Sequence, residues 1–229
     1  MGLAKQFRNL RYRIFYGLML KKGCKLVTLC GPNSICPWTI CPDGLNTKSV
    51  VYSAGIGSDI TFEHELVKAF GCKVILCDPS PTGLKTMSLP ENQIPEFRYF
   101  PLAMAGQKGE LTMAPPLEAG GDSWFAREDG QEGNVRVKCT DLSSLMAENQ
   151  HDRIDLLKLD IEGSEYDVIE HILERRIPVR QICVEFHHGI LPGIRRSDTL
   201  RSMMKLARRG YQLVHQEGAN HTLIARQSR

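Results

Sequence analysis

From residue 48 onward, short apolar runs alternate with stretches whose apolar positions repeat at helical spacing. Val50 to Ser53 reads as a buried strand, and residues 60–70, "ITFEHELVKAF", predict a helix with Ile60, Leu66, Val67 and Phe70 on one face and Gly71 as its stop. "KVILCD" (73–78) is a second strand ended by "PSP", and a short helix over about 82–89 leads to a third strand in "FRYFPLAMA". Residues 106–133 are glycine-rich and polar, with a β excursion in "GELTMAPP" and a loop carrying "GGDSWF". "VRVKC" (135–139) is strand-like, "LSSLMAEN" a short helix and "IDLLKLDIE" (154–162) a buried strand. A helix from Ser164 to Arg176 buries Val168, Ile169, Ile172 and Leu173, and Pro178 stops it. "QICVEF" (181–186) is the next strand, and Ser197 can cap a helix with Leu200, Met203, Met204 and Ala207 on one face and Gly210 as its end. "YQLV" and "TLIAR" are strands joined by "HQEGANH", short enough for a hairpin. The alternation predicts an α/β fold: a mostly parallel sheet, helices on both faces, and an antiparallel hairpin at the C-terminal end.

Composition changes this picture little. The 229 residues, 42% hydrophobic and 24% charged, suffice for one sizeable core. We place the domain at 48–229, after an extension over 1–47 that carries a cysteine-containing loop. A net charge of +3 is too mild for a nucleic-acid binder. The eight cysteines are scattered, several of them inside apolar runs, which predicts reduced core thiols. Cys30, Cys36 and Cys41 contain no CxxC pair and no histidine at ligand spacing, so a zinc site is not expected. The N-terminal "KQFRNLRYRIFYGLMLKKG" joins basic residues to the run Ile14 to Leu20, too short to span a bilayer and followed by no small-residue cleavage site. It reads as an amphipathic helix packed on the domain, or as a peripheral contact to a membrane surface or acidic partner through residues 1–22. The cytoplasm is the default location.

The chemistry begins at "VVYSAGIGSDITFEHEL" (50–66), a strand, a glycine turn and a helix. It lacks the lysine and the GK[ST] triplet of a phosphate loop, and Ile60 stands where a dinucleotide fingerprint has its third glycine. A pyrophosphate is disfavoured. Asp78 ends the second strand 21 residues after Gly57, suited to accept two hydrogen bonds from a ribose diol, although it can also be a turn residue before Pro79. Asp59 beside the turn would attract a cationic ligand or cap the helix. A ribose-bearing, cationic ligand without a pyrophosphate has the character of S-adenosylmethionine.

Together "VVYSAGIGSDITFEHEL", "GCKVILCDPSP", "YFPLAMA", "IDLLKLDIEGSEYDVI" and "ICVEFHH" resemble the FkbM-type family of S-adenosylmethionine-dependent methyltransferases, from about residue 48 to 226. The resemblance implies a Rossmann-like class I methyltransferase fold and methylation of a hydroxyl on a sugar, glycolipid or natural-product-like acceptor. It also implies that Ser53, Ala54, Gly55 and Gly57 surround the methionine and ribose part of the cofactor. Asp78 and Pro79 would lie at the ribose, Ala103 against the adenine, and Asp160 at the reactive end. Trp124 in "GGDSWF" falls outside the resemblance and is a candidate for the acceptor, with Glu162 and His188.

Methyl transfer to oxygen needs a base for the hydroxyl proton. Ligands of open α/β sheets lie beyond the carboxyl ends of the strands, and two ends carry candidates. Asp160 and Glu162 alternate in "LDIEGSEYD", and Asp160 ends so apolar a run that it needs a partner. Glu165 and Asp167, in the first helical turn, are expected to offset the helix dipole. In "VEFHHG", Glu185 and His187 point the same way and either can be the base. Asp160, Glu185 and His187 could instead hold a divalent metal, which their spacing does not require. Two other readings stay open: a nicotinamide-dependent oxidoreductase, and a non-catalytic module that binds cofactor or a partner.

Overall fold

In the computed structural model, which describes residues 14–21, 23–31, 37–117, 121–127, 133–189, 191 and 193–226, the predicted alternation closes into a single large sheet. The chain starts with α1 (residues 14–19), followed by an antiparallel pair, β1 (Val27–Leu29) and β2 (Trp38–Ile40). Then come β3 (Val50–Ala54), α2 (Thr61–Phe70), β4 (Lys73–Cys77), α3 (Pro81–Met87) and β5 (Phe97–Phe100). A second group of strands follows: β6 (Ala103–Met104), β7 (Gly109–Ala114), β8 (Phe125–Ala126) and β9 (Val135–Thr140). The chain ends with α4 (Leu142–Glu148), β10 (Leu156–Leu159), α5 (Glu165–Arg175), β11 (Gln181–Glu185), α6 (Arg196–Arg208), β12 (Tyr211–Glu217) and β13 (Asn220–Ala225).

The large sheet has the order β12-β13-β11-β10-β3-β4-β5. Its strands β5, β4, β3, β10 and β11 are parallel, and β13 runs antiparallel to both β11 and β12. The strand order reverses between β3 and β10, which opens a crevice beyond their carboxyl ends. Central strands of such a sheet are covered on both faces, and "LLKL" of β10 is buried throughout. This is the predicted Rossmann-like class I architecture.

Four details depart from the expectation. "FRYFPLAMA" is two strands: the chain turns at Pro101–Leu102, where Leu102 N–H bonds back to the Phe100 carbonyl, and β6 joins a separate four-stranded sheet, β6-β9-β7-β8. The face of α2 turned inward carries Phe62, Glu63 and Leu66, a rotation that takes a carboxylate into the core. Helix α6 is capped two residues earlier, with Arg195 as N-cap and Asp198 accepting the Arg195 N–H at 2.8 Å, so Ser197 lies inside its first turn. Its buried residues are Thr199, Ser202, Met203 and Leu206, while Met204 is exposed, because Thr199 is anchored by Tyr166 and His188. Residues 27–31 and 37–41, expected in the extension, share the domain core. Trp38 and Ile40 are fully buried, and Gln181 exchanges hydrogen bonds with the Cys41 backbone.

The helix expected near the N-terminus is present as α1, with Tyr16 buried against His221 and Ile14 and Leu18 exposed; residues 1–13 and 22 lie outside the described residues. Among the described residues no helix is long and apolar enough to cross a membrane. The described cysteines are all free thiols, with Cys77, Cys139 and Cys183 buried as expected and Cys41 and Cys72 buried as well; Cys36 lies outside the described residues.

Candidate active site

A cavity of about 240 Å³ opens at the carboxyl ends of β3, β4, β10 and β11. Its first wall is the glycine turn. Gly55 has φ 83° and Gly57 φ 56°, left-handed conformations that favour glycine, and a Cβ on Gly55 would collide with the Asp160 carbonyl oxygen. The turn therefore lies directly on the end of β10. Asp78, buried at the end of β4, holds the turn in shape. Its Oδ2 accepts the Ile56 N–H at 2.9 Å and the Gly57 N–H at 3.0 Å, and its Oδ1 accepts the Ser80 N–H at 2.8 Å. With about two acceptor sites per oxygen, Oδ2 is filled by the two turn N–H groups and Oδ1 keeps one site for a ribose hydroxyl. Asp59, expected as the helix cap, accepts the Thr61 N–H at 2.9 Å in a turn contact, one position ahead of the observed N-cap Ile60.

Beneath the turn lies a buried ionic floor that the sequence reading missed. Lys158 of β10 is 2% exposed and donates to the Gly55 carbonyl at 2.7 Å. It also faces Glu63 Oε1 at 3.5 Å and Asp160 Oδ2 at 3.8 Å, and lies over the Trp38 ring. Ser53 donates to Glu63 Oε1 from below, whereas Glu63 Oε2 has no hydrogen-bond partner among the described residues.

The opposite wall is built from the ends of β10 and β11. His187 is 3% exposed and is surrounded by acids: Nε2 lies 3.3 Å from Glu162 Oε2 and 3.8 Å from Asp160 Oδ1, and Nδ1 lies 3.3 Å from Glu165 Oε1. Glu165 was expected to offset the helix dipole from the first turn, but it is fully buried and partnered with His187. Its Oε1 accepts the His187 N–H and its Oε2 the Gly163 N–H. Burial pulls the His187 pKa down, but the Glu165 bond and the charges of Glu165, Glu162 and Asp160 outweigh it and hold it at about 9. Burial, reinforced by Asp160, pushes Glu185 up to about 7. Asp160 and Glu162 are raised too, chiefly by burial. Glu162 reaches this wall in a left-handed conformation, φ 48°, sterically costly for a residue with a Cβ and characteristic of functional sites.

A third wall comes from the four-stranded sheet and its loop: Leu111 and Met113 of β7, Ala126 of β8, and Asp122, Ser123 and Trp124. Asp122 accepts from the Ser58 hydroxyl and N–H, tying this loop to the glycine turn.

Of the expected site residues, Gly55, Gly57, Asp59, Asp78, Pro79, Ala103, Trp124, Asp160, Glu162, Glu185 and His187 all line the cavity. Three do not. Ser53 and Ala54 are buried under the floor, Ser53 turned toward Glu63, and His188 points away to the Thr199 hydroxyl at 2.9 Å. Both histidines lie past the end of β11, where the chain turns, and only His187 is directed into the cavity. The sequence reading missed Ser58, Asp122, Lys158, Glu63 and Glu165. A charge inside "LLKL" was the one signal that pointed to the ionic floor.

The lining suits a cationic ligand without phosphate. Asp59, Asp78, Asp122, Asp160, Glu162 and Glu185 border it, against Lys158 and His187, a balance that repels a pyrophosphate and favours a sulfonium and an ammonium. This weighs against the nicotinamide reading.

A human protein (Homo sapiens) described as "Probable methyltransferase-like protein 24" is 26% identical over 161 residues, covering 66% of this chain and 38% of the relative. The chain thus spans well under half of that relative's length. Similar solved structures include an rRNA methylase from Streptococcus thermophilus, with 13% identity, 80% of this chain and 90% of that one covered, and a TM-score of 0.45. Another is the Aeropyrum pernix fibrillarin with bound S-adenosyl-L-methionine, with 11% identity, 78% and 66% covered, and a TM-score of 0.40. The sequence profile of the family described as "Methyltransferase FkbM domain" matches residues 44–213. Because that match runs through the glycine turn and both acidic strand ends, the chain belongs to the FkbM-type family of S-adenosylmethionine-dependent methyltransferases.

Proposed function

We propose that the protein transfers the methyl group of S-adenosylmethionine to a hydroxyl oxygen of a small-molecule, glycan or glycolipid acceptor, with Glu185 receiving the hydroxyl proton. The observation that carries this reading is a carboxyl group pushed up to about 7 that borders the same cavity as the glycine turn. A base whose pKa lies near working pH combines availability with proton affinity. His187, at about 9, is protonated at neutral pH and acts as a fixed cation that orients Glu162 and Asp160. The structure thus favours Glu185 between the two candidates.

Gly55, Gly57 and Asp78 would hold the ribose side of the cofactor, Ala103 the adenine, and Asp59 and Asp160 its cationic portion. When bound, the cofactor supplies an electrophilic methyl carbon. Asp160, Glu162 and Glu185 accept hydrogen bonds from acceptor hydroxyls, and Trp124, Leu111 and Met113 supply the apolar surface on which a sugar ring or lipid-linked group can rest. Glu185 would take the hydroxyl proton as the oxygen–methyl bond forms and the methyl–sulfur bond breaks, its electron pair staying on the sulfur of the demethylated co-product, a neutral thioether.

A methyl-transfer screen with isotopically labelled cofactor against hydroxylated glycans, lipids and small molecules tests the reading. Label recovered as a base-stable ether supports it. Label found only on nitrogen overturns the oxygen assignment.

A further inference from the structure

We propose that Asp160, Glu185 and His187 form a binding site for one divalent transition-metal ion of the Mn2+ kind at the acceptor end of the cavity; this rests on the methyl-transfer reading of that cavity. Each residue offers one ligand atom, and these atoms lie within 4.8 Å of one another. Two ligands of one ion, each bonded at about 2.1 Å, stand roughly 3.0 Å apart when adjacent and about 4.2 Å apart when opposite. The 3.8 Å between His187 Nε2 and Asp160 Oδ1 falls in that interval and is too long for a hydrogen bond.

The setting of His187 is an independent argument. Glu165, fully buried, accepts the His187 main-chain N–H at 2.9 Å and faces its Nδ1, which fixes the ring and turns Nε2 into the cavity. A carboxylate behind a histidine in this way is how metal-binding imidazoles are oriented and made more basic. On the cavity side Nε2 faces carboxylate oxygens of Glu162 and Asp160; in the metal-free protein the imidazolium proton holds that place, and a binding ion would displace it. The left-handed backbone of Glu162 brings in a further oxygen to complete the set or accept from a bound water.

Two oxygens and one imidazole nitrogen, with no thiolate, suit Mn2+ or a similar borderline ion and leave positions open for an acceptor hydroxyl. An ion there would polarise that hydroxyl and fix its direction. Glu185, ligating through one oxygen, would keep the other toward the acceptor hydroxyl; the ion would lower the proton affinity of both, so the easier loss of the hydroxyl proton would offset the weaker base.

The test is a Mn2+ titration of chelator-stripped full-length protein, read by electron paramagnetic resonance, beside calorimetry with S-adenosylmethionine on the same stripped sample. One ion per chain is expected, with affinity falling at least about tenfold in Asp160→Asn and in His187→Ala, and about 10–100-fold in Glu165→Gln. Wild-type protein that binds S-adenosylmethionine but takes up no Mn2+ at millimolar concentration overturns the site, as does uptake that the Asp160→Asn and His187→Ala variants leave unchanged. The wild-type titration decides the matter even if a variant fails to fold. Loss of cofactor binding in the stripped protein, with the Mn2+ signal intact, counts against the methyl-transfer reading alone.

Discussion

The two walls of the cavity use carboxylates in opposite ways. On the β4 side, Asp78 is met by three backbone N–H groups, and Asp59 and Asp122 also accept from backbone. On the β10–β11 side, Asp160, Glu162 and Glu185 crowd one another and a single imidazole, and their pKa values are raised. Backbone donors make the first wall a fixed mould. The second wall holds charge whose balance changes with a proton, an ion or a substrate. Recognition that must not vary is placed on the former, and chemistry on the latter.

The comparison is broken most severely at Glu185. Glu185→Gln is expected to lower turnover by ~10²–10⁴-fold while S-adenosylmethionine affinity in calorimetry stays unchanged. In the wild type without added metal, kcat/KM should rise with pH to a plateau above about 7, as Glu185 loses its proton. A variant that keeps full turnover removes Glu185 from the reaction.

The floor between the walls is next. Lys158→Met strands the Glu63 carboxylate in the core and should cost about 3–5 kcal/mol in urea unfolding, much of it recovered when Glu63→Gln is added. If the double variant is no more stable than the single one, the pair is not the source of the loss. Gly55→Ala drives a methyl into the Asp160 carbonyl at a left-handed φ, and a loss of about 3 kcal/mol together with cofactor affinity is expected. Asp78→Ala leaves three N–H groups of the mould without their acceptor and should weaken S-adenosylmethionine roughly tenfold or more, with turnover at saturation little changed. A pure turnover defect would move Asp78 from the mould to the chemistry.

The smallest effect separates the walls by pH. His187 is raised in the folded protein from its ordinary 6.5 to about 9, so the stability it contributes is full below about 6.5 and lost as pH rises through 9. Glu185, raised from 4.5 to about 7, acts with the same sign in the lower window. The urea midpoint of chelator-treated protein should therefore fall between pH 6 and 9, and His187→Gln should flatten the slope. A midpoint that rises across that window contradicts the acid-crowded wall.

The sequence announced the mould more clearly than the chemistry. Glycines at 55 and 57 and an acid at 78 leave a local trace, because a turn needs particular residues at particular positions. Glu165 left a misleading one. A first-turn acid ordinarily faces water, and only the chain after β11, folded over it, makes it a buried partner of His187. Glu63 and Lys158 are 95 residues apart, and no periodicity links them. The outward turn of His188 comes in the turn after β11, and the contact that holds it, Thr199, lies on another element. Long-range pairs of charge are where local reading stopped.

The four-stranded sheet shares no backbone ladder with the large one among the described residues, yet it lends Leu111, Met113 and Ala126 to the cavity. Under the proposed function, this separation makes acceptor choice evolvable. Substitutions on that inserted panel can recut the shape offered to a new acceptor while the sheet that grips the methyl donor keeps its register, so a lineage can change clients without rebuilding its engine.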